Sequence, residues 1–272
     1  MILINIWRGI VITIEKHLNE YSLFKFESFQ EIEEYAYSNF PELSEKEIEM
    51  LNNREMADSS NSLLNNLKFY NEVASSNALR SIILSEKFGS YVKCSETILN
   101  TLKNPKKILD IGCNVGYLTT WYAKNFVDSM IIGIDNSTES INYANKMKNK
   151  MQIDNVHFQA MDLNYMKFSR KSFDAIIDTQ SIYYSEKRSK VFSLIQKLIT
   201  DNGLLITAPA IGELEKIELY LSDIRQSDLI IKSFDFIKVK NLGDFSHYPF
   251  IVADLQSIPK ELCIEEKFKK IT

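Results

Sequence analysis

The sequence predicts an α/β fold in which a mostly parallel sheet carries helices on both faces. From residue 106 onward, apolar runs such as KILDIG, MIIGID and FDAIID alternate with segments of helical periodicity, among them GYLTTWYAKNF and STESINYANKMKNKM. This alternation is typical of parallel strands joined by crossover helices, and such sheets bind ligands beyond the carboxyl ends of their strands. The runs SFDFIKVK and YPFIVADLQ, joined by the loop NLGDFSH, indicate a C-terminal hairpin.

The N-terminal part of the chain has a different pattern. We predict a mostly helical extension at residues 1–105 and an α/β core at residues 106–272. In the extension, Ser44 and Glu47 have the spacing of a capping box, and Gly89 is expected to end a later helix.

Composition restricts the class of protein. The chain has 272 residues, of which 45% are hydrophobic and 25% charged, as in ordinary globular proteins. A net charge of −4 argues against nucleic-acid binding as the function, since that needs a clustered basic face. The three cysteines have no metal-ligand spacing, so we expect no metal and a reducing, cytoplasmic location.

The apolar first 14 residues are short for a membrane span, and we expect a strand or a buried segment there rather than a signal peptide.

Acidic residues are concentrated in the N-terminal extension. Eight glutamates and one lysine lie between Glu27 and Glu49. Two interpretations are open, a solvated helix face or an acidic mouth that attracts a cationic substrate. The aromatic residues of the same region either pack in a core or line a lid over the substrate, and they are Phe24, Phe26, Tyr35, Tyr37 and Phe40.

The segment KILDIGCNVGYLTTWYAKNF has the strand–loop–helix form of a nucleotide site. It does not match the dinucleotide fingerprint G-x-G-x-x-G, because Asn114 and Tyr117 stand where that pattern needs glycine. The remaining pattern is D-x-G-x-N-x-G, which begins at Asp110. Gly112 and Gly116 allow the backbone to approach a ligand closely, and asparagine is well able to take a left-handed conformation in place of glycine.

Two further aspartates follow the next two predicted strands. Asp135 ends the second strand, 25 residues after Asp110, and a carboxylate there can accept hydrogen bonds from both hydroxyls of a ribose. An N-cap of the following helix is the other interpretation of Asp135. Asp162 follows the third strand, where a plain turn residue is the alternative to a ligand contact.

These residues resemble motif I and its neighbours in class I S-adenosylmethionine-dependent methyltransferases, over about residues 106–210. The resemblance implies a Rossmann-like seven-stranded sheet, with six parallel strands and one antiparallel, an N-terminal helical lid, and S-adenosylmethionine as cofactor. It also implies that Asp110 faces the methionine part of the cofactor and that Asp162 contacts the adenine. The expected cofactor-binding residues are Asp110, Gly112, Asn114, Gly116, Asp135, Asn136, Asp162 and Leu163.

Methyl transfer from a sulfonium mainly requires a positioned nucleophile and the exclusion of water. The segment DTQSIYYSEKR, after the fourth strand, is expected to face the acceptor, and Gln180 is one candidate for orienting it. Tyr183 and Tyr184 either contact the acceptor or pack at a helix start, and His17 and His157 are interpreted as structural. The candidate catalytic residues are Asp178, Tyr183, Tyr184 and His247, of which His247 in the hairpin loop is the histidine expected near the mouth.

The lack of an obvious strong base, together with an acidic aromatic region, favours an amine acceptor on a cationic small molecule or modified peptide. In this respect the chain resembles the α-amine methyltransferases of plantazolicin-type antibiotic biosynthesis. That resemblance implies dimethylation of an N-terminal arginine, with Asp162, Leu163 and Tyr183 at the substrate end of the pocket. Two alternatives stay open, a small-molecule O- or C-methyltransferase that uses His247 or a tyrosine as base, and a non-catalytic cofactor-binding regulator.

Overall fold

A computed structural model of the protein describes residues 13–52, 63–259 and 261–272. The first 12 residues, for which we expected a strand or a buried segment, lie outside the described part of the chain. The strands are β1 (Lys107–Ile111), β2 (Met130–Asp135), β3 (Val156–Ala160), β4 (Phe173–Thr179), β5 (Ile199–Ala208), β6 (Ile230–Asn241) and β7 (Asp244–Asp254).

The strands of the described residues form one seven-stranded sheet in the order β3-β2-β1-β4-β5-β7-β6. Strands β1 to β5 pair in parallel, whereas β7 is antiparallel to both of its neighbours, β5 and β6. Six strands therefore point one way and β7 points the other, which confirms the predicted Rossmann-like sheet. Along the chain, β2 and β3 are added on one side of β1, whereas β4 and β5 are added on its other side. The strand order therefore reverses between β1 and β4, and a crevice opens there beyond the carboxyl ends of the strands.

The helices lie before, between and after these strands. In chain order they are α1 (Ile14–Glu20), α2 (Phe29–Asn39), α3 (Glu45–Asn52), α4 (Leu63–Ser75), α5 (Asn77–Ile83), α6 (Phe88–Thr101), α7 (Tyr117–Asn125), α8 (Thr138–Lys150), α9 (Arg188–Leu198), α10 (Leu214–Arg225) and α11 (Ile264–Lys269). The capping box at the start of α3 is confirmed, since the Ser44 N–H donates to the Glu47 carboxylate at 2.9 Å and the Glu47 N–H donates to the Ser44 hydroxyl. Across the described residues, no helix combines the length and the hydropathy needed to cross a bilayer.

Each face of the sheet packs against its own hydrophobic core, because successive strand residues point to opposite faces. On one face Ile108 of β1 packs in a core that also contains Leu18 of α1, Val73 of α4 and Ile98 of α6. On the other face Leu109 packs in a core with residues of α9 and α10. The N-terminal helices thus share a core with the sheet.

Two sequence predictions about this fold are wrong. Gly89 does not end a helix but lies in the first turn of α6, where a Cβ would collide with the carbonyl oxygen of Lys240 in β6. The hairpin loop is not the seven-residue segment NLGDFSH but a two-residue turn, in which Leu242 and Gly243 have φ values of 47° and 84°. Both values are left-handed, as a tight turn between twisted strands requires.

Candidate functional site

A cavity of about 860 Å³, partly open to solvent, lies at the carboxyl ends of β1, β2 and β4. It adjoins a second cavity of about 720 Å³ that continues past β2 and β3, and the two share five lining residues. The shared residues are Leu67, Gly112, Asp135, Asn136 and Leu163. The site therefore lies in the crevice where an open α/β sheet is expected to bind a ligand.

The loop after β1 takes the backbone conformation predicted for it. Gly112, Asn114 and Gly116 have φ values of 69°, 49° and 83°, so asparagine does replace a left-handed glycine here. Its side chain stabilises this conformation locally, because Asn114 Oδ1 accepts a hydrogen bond from the Val115 N–H at 2.7 Å. The loop also reaches the neighbouring strand, where the Asn114 N–H donates to Asp135 Oδ2 at 2.8 Å.

The two glycines of this loop are required by packing within the protein. A Cβ on Gly112 would overlap the side chain of Ser181, and a Cβ on Gly116 would lie 2.7 Å from the ring of Phe158. Gly112 also lines both cavities, whereas Gly116 lies behind the loop against Phe158 and Ala144. We expected both glycines to make room for a ligand, and for Gly116 the structure gives a different reason, the contact between α7, α8 and β3.

Asp135 is held as an acceptor at the floor of the crevice. Its Oδ2 accepts from the Asn114 N–H at 2.8 Å and its Oδ1 from the Ser137 N–H at 2.9 Å. Burial raises the pKa of Asp135, and the backbone hydrogen bonds oppose this effect. Ser137, not Asp135, caps α8, since its hydroxyl accepts from the Ser140 N–H. A carboxylate has four lone pairs, so Asp135 can still accept a hydrogen bond from a ligand hydroxyl, and Asn136 lines both cavities beside it.

Asp162 and Leu163 lie side by side in the second cavity. Asp162 Oδ1 accepts from both nitrogens of Asn164, at 2.8 Å from the backbone and 2.9 Å from the side chain, and so caps the short 3₁₀ turn Leu163–Tyr165. These bonds use one carboxylate oxygen, Oδ1. A carboxylate acceptor next to an apolar side chain suits a flat, partly polar group.

Asp110 lies beneath the crevice and is not among its lining residues. It is buried in β1, where the Thr119 hydroxyl donates to its Oδ2 at 2.6 Å. Burial raises the pKa of Asp110 to about 7, the hydrogen bond from Thr119 opposes this, and the negative charges of Asp178 and Asp135 raise it further. Of the three predicted aspartates, Asp135 and Asp162 therefore line the crevice while Asp110 supports its floor.

Asp178 was predicted as a catalytic residue, and its position does not favour that role. It is fully buried, and its Oδ1 accepts from the backbone N–H groups of Ser181 and Ile182 at 3.0 and 2.9 Å. Its Oδ2 accepts from the hydroxyls of Thr207 and Tyr220 at 2.6 and 3.1 Å. With both oxygens occupied in this way, Asp178 holds the loop after β4 in place rather than facing a substrate.

The other predicted catalytic residues are divided between two regions. Tyr184 lines the cavity, and its ring stacks on that of Tyr183 with 4.0 Å between centroids. Tyr183 packs against the core on the far face of the sheet. His247 is not in a loop, because it lies within β7 opposite Lys238 and is not among the lining residues of the crevice. Its predicted position at the mouth is wrong.

His17 has the structural role predicted for it. Its ring is buried in α1, and Nε2 hydrogen-bonds the carbonyl oxygen of Tyr117 at 2.8 Å. Burial, with a contribution from the positive charge of Lys124, lowers the pKa of His17 to about 3. In the same contact the Tyr21 hydroxyl hydrogen-bonds the Thr120 hydroxyl at 2.7 Å, so that α1 fixes the start of α7 beside the crevice.

Sequence reasoning missed the residues that the N-terminal helices contribute to the cavity. Helix α4 contributes Asn66, Leu67 and Tyr70, and Lys87 and Tyr91 come from the start of α6 and the turn before it. The rings of Tyr91 and Tyr117 lie 4.6 Å apart, and Tyr117 lines the cavity as well. No motif marks these positions, and the sequence signal was the helical periodicity alone.

The acidic mouth, one of the two interpretations of the glutamate-rich segment, is not found at this cavity. Its lining residues include no glutamate from the segment between Glu27 and Glu49 in the described part of the chain. Glu27 instead pairs with Lys25 and Lys240, and Glu47 caps α3. The aromatic side chains of this region pack together in a cluster with α5, apart from Tyr37, which is exposed; the clustered ones include Phe26, Tyr35 and Phe40.

Residues 102–228, just under half of the chain, match the family model of the methyltransferase domain. Over these residues the chain is similar to methyltransferase domains, and its fold is the one predicted. The chain spans half or less of the length of the curated relatives it matches, so the similarity concerns this domain rather than those whole proteins.

One curated relative and two solved structures illustrate the similarity, and the two structures do so in fold alone. Malonyl-[acyl-carrier protein] O-methyltransferase of Acetivibrio thermocellus is 27% identical over 147 residues, which cover 51% of this chain and 50% of that protein. The methyltransferase in a complex with the Haloferax volcanii activator Trm112 has a TM-score of 0.57 at 14% identity, covering 69% of this chain and 98% of that one. Geranyl diphosphate C-methyltransferase of Streptomyces coelicolor, solved with S-adenosyl-L-homocysteine, has a TM-score of 0.51 at 14% identity, covering 66% and 84%.

Proposed function

We propose that this protein is an S-adenosylmethionine-dependent methyltransferase whose acceptor is an amine nitrogen. The observation that carries the proposal is the pair of adjoining cavities in a methyltransferase domain, lined by Asp135 and Asn136 at one point and by Asp162 and Leu163 at another.

The lining residues fit the parts of the proposed cofactor. The Asp135 carboxylate would accept hydrogen bonds from the ribose hydroxyls, and Asp162 with Leu163 would take the adenine. Gly112 and the loop after β4 would lie beside the methionine part, with the buried Asp110 beneath. When bound, S-adenosylmethionine supplies a methyl group activated by its sulfonium, and the chain's own residues hold the acceptor and exclude water.

The titratable groups at the cavity favour an acceptor that needs no strong base. Among the described lining residues these groups are Lys87, the two aspartates and four tyrosines, and histidine, cysteine and glutamate do not occur. Burial raises the pKa of Tyr91 well above its ordinary value, and that of Tyr117 as well, so neither phenol acts as a base near neutral pH. An amine can react through its own lone pair once it is neutral.

The tyrosine rings at the cavity offer faces that can bind a methylated, cationic product. These rings are the remaining support for the narrower hypothesis of a cationic acceptor, such as the N-terminal arginine of a plantazolicin-type peptide.

Helix α4 and the start of α6 supply one wall of the cavity, and we propose that they form the lid over the acceptor.

A cytoplasmic location is also part of the proposal. The cysteines Cys94, Cys113 and Cys263 are free, which agrees with a reducing compartment.

The proposal is tested by incubating the protein with S-adenosylmethionine and matched amines, phenols and cationic peptides, and measuring S-adenosylhomocysteine formation. Turnover with amines is expected. Turnover with phenols alone would point to an O-methyltransferase, and cofactor binding without turnover on any acceptor would point to the regulator.

The cofactor site is tested separately with Asp135→Asn. Removing the charge should weaken S-adenosylhomocysteine binding about tenfold or more in calorimetry, because hydrogen bonds to charged groups are the stronger ones. The titration is made at a temperature at which circular dichroism shows the variant folded. Asp201→Asn, at an exposed position in β5, is the matched control and should bind like the unchanged protein. Equal affinity for Asp135→Asn would contradict the assignment.

A further inference from the structure

Two amide groups at the cavity have buried donors without a partner. Asn66 of α4 is 7% exposed, and its Nδ2 forms no hydrogen bond within the described structure. Gln180, directly after β4, has a buried Nε2 that also forms no hydrogen bond within the described structure. Both residues line the cavity of about 860 Å³. Native proteins pair almost all buried polar groups, so two unpaired donors at one cavity indicate a ligand that completes them.

The backbone at Gln180 supports a functional role. Its φ of 63° lies in the left-handed region, which is unfavourable for a glutamine. The conformation is maintained by the residues that follow, since the backbone N–H groups of Ser181 and Ile182 donate to the buried Asp178. Such strain persists where the surrounding structure fixes it, and it is concentrated at binding and catalytic sites.

The neighbouring side chains indicate which kind of chemical group the ligand presents to these two donors. Lys87 lines the same cavity, and its ammonium, like the two amide NH₂ groups, only donates hydrogen bonds. A cationic donor with two neutral donors suits an anionic group that only accepts hydrogen bonds.

We infer that Asn66, Lys87 and Gln180 form a subsite for a carboxylate of a ligand bound in this cavity. The inference rests on the proposed function and deepens it. The carboxylate is that of the cofactor's amino-acid part or one carried by the methyl acceptor, and the two sources can be distinguished.

The test uses Asn66→Asp and Gln180→Glu. Each change keeps the shape of the side chain, replaces the NH₂ donor with an acceptor and adds a negative charge that repels a carboxylate. Gln226→Glu, at the exposed end of α10, is the control for the added charge. Calorimetry compares S-adenosylhomocysteine, which has the carboxylate, with 5′-methylthioadenosine, which lacks the amino-acid part.

If the subsite binds the cofactor, both variants should lose about tenfold or more in affinity for S-adenosylhomocysteine and keep their affinity for 5′-methylthioadenosine. If it binds the acceptor, affinity for S-adenosylhomocysteine should be unchanged. Sodium benzoate should then bind the S-adenosylhomocysteine complex, both variants should lose that binding, and neutral benzyl alcohol should not distinguish them from the unchanged protein.

The inference is overturned if both variants bind S-adenosylhomocysteine normally and benzoate either does not bind or binds them equally. It is also overturned if the two nucleosides are weakened to the same extent, since that indicates general damage to the cavity. A failure of the proposed function has a different signature, because the unchanged protein would then bind neither nucleoside.

Discussion

Asp110→Asn should stabilise the protein at alkaline pH far more than at acidic pH. Asp110 is buried in β1, and its pKa in the folded protein is about 7, against an ordinary value of 3.8. As the pH rises from 3.8 towards 7, the unfolded chain releases a proton that the folded chain retains, so stability falls over this window and then levels off. Asparagine has the same shape, can still accept the hydrogen bond from Thr119, and does not titrate.

The size of the effect follows from the two pKa values. A pKa raised from 3.8 to about 7 corresponds to roughly 4 kcal/mol at most, of which about 2.5 kcal/mol accrues between pH 5 and pH 8. Titrating groups that do not interact with Asp110 are common to both proteins and cancel in the difference between them. The stability of Asp110→Asn relative to the unchanged protein should therefore rise by about 2.5 kcal/mol over this range.

The assay is urea unfolding of the ligand-free protein at pH 5 and pH 8, with the slopes compared to check that both proteins expose similar surface. Asp201→Asn is the control, because Asp201 is exposed and its ion pair with Lys171 lies at the surface. Its effect should be small and the same at both pH values. A difference between Asp110→Asn and the unchanged protein that does not change with pH would refute the reasoning.

Three further outcomes are expected. Gly112→Ala should cost roughly 2–4 kcal/mol in urea unfolding, because its Cβ meets Ser181 and its φ of 69° is left-handed, whereas Gly212→Ala, with nothing within 4 Å of the added Cβ, should be near neutral; similar costs would argue against the packing explanation. Asp178→Ala should lower the thermal midpoint by several degrees through about 3 kcal/mol of lost buried hydrogen bonds, and an unchanged midpoint would contradict its structural role. His247→Ala should keep turnover within about twofold, because β7 holds it away from the crevice, and a hundredfold loss would restore it as a base.

The sheet and the cofactor side of the crevice could be predicted because their signals are local. The loop after β1 has two glycines and an asparagine within five residues, and its left-handed conformations follow from those residue types. Asp135 and Asp162 could be placed because one ends β2 and the other follows β3, and the carboxyl ends of parallel strands meet at one edge.

The acceptor side could not be predicted, because its residues come together through tertiary packing. Asn66, Lys87 and Tyr91 lie on helices whose apolar periodicity shows which face is buried but not which other residues that face contacts.

His247 was misplaced for a reason specific to its hairpin. Leu242 takes a left-handed φ that sequence rules reserve for glycine, asparagine and aspartate, so the two-residue turn had no recognisable signature.

The contact of β6 with the N-terminal helices has a consequence for how the chain is made. Asn241 hydrogen-bonds Ser90 at a separation of 151 residues, and Lys240 pairs with Glu27 at a separation of 213. A ribosome delivers Glu27 and α6 long before β6, the strand that contacts them. Their contact surfaces therefore stay exposed until the hairpin has emerged. Nascent chains stalled before β6 should therefore be more open to proteases and chaperones along α6 than the released protein.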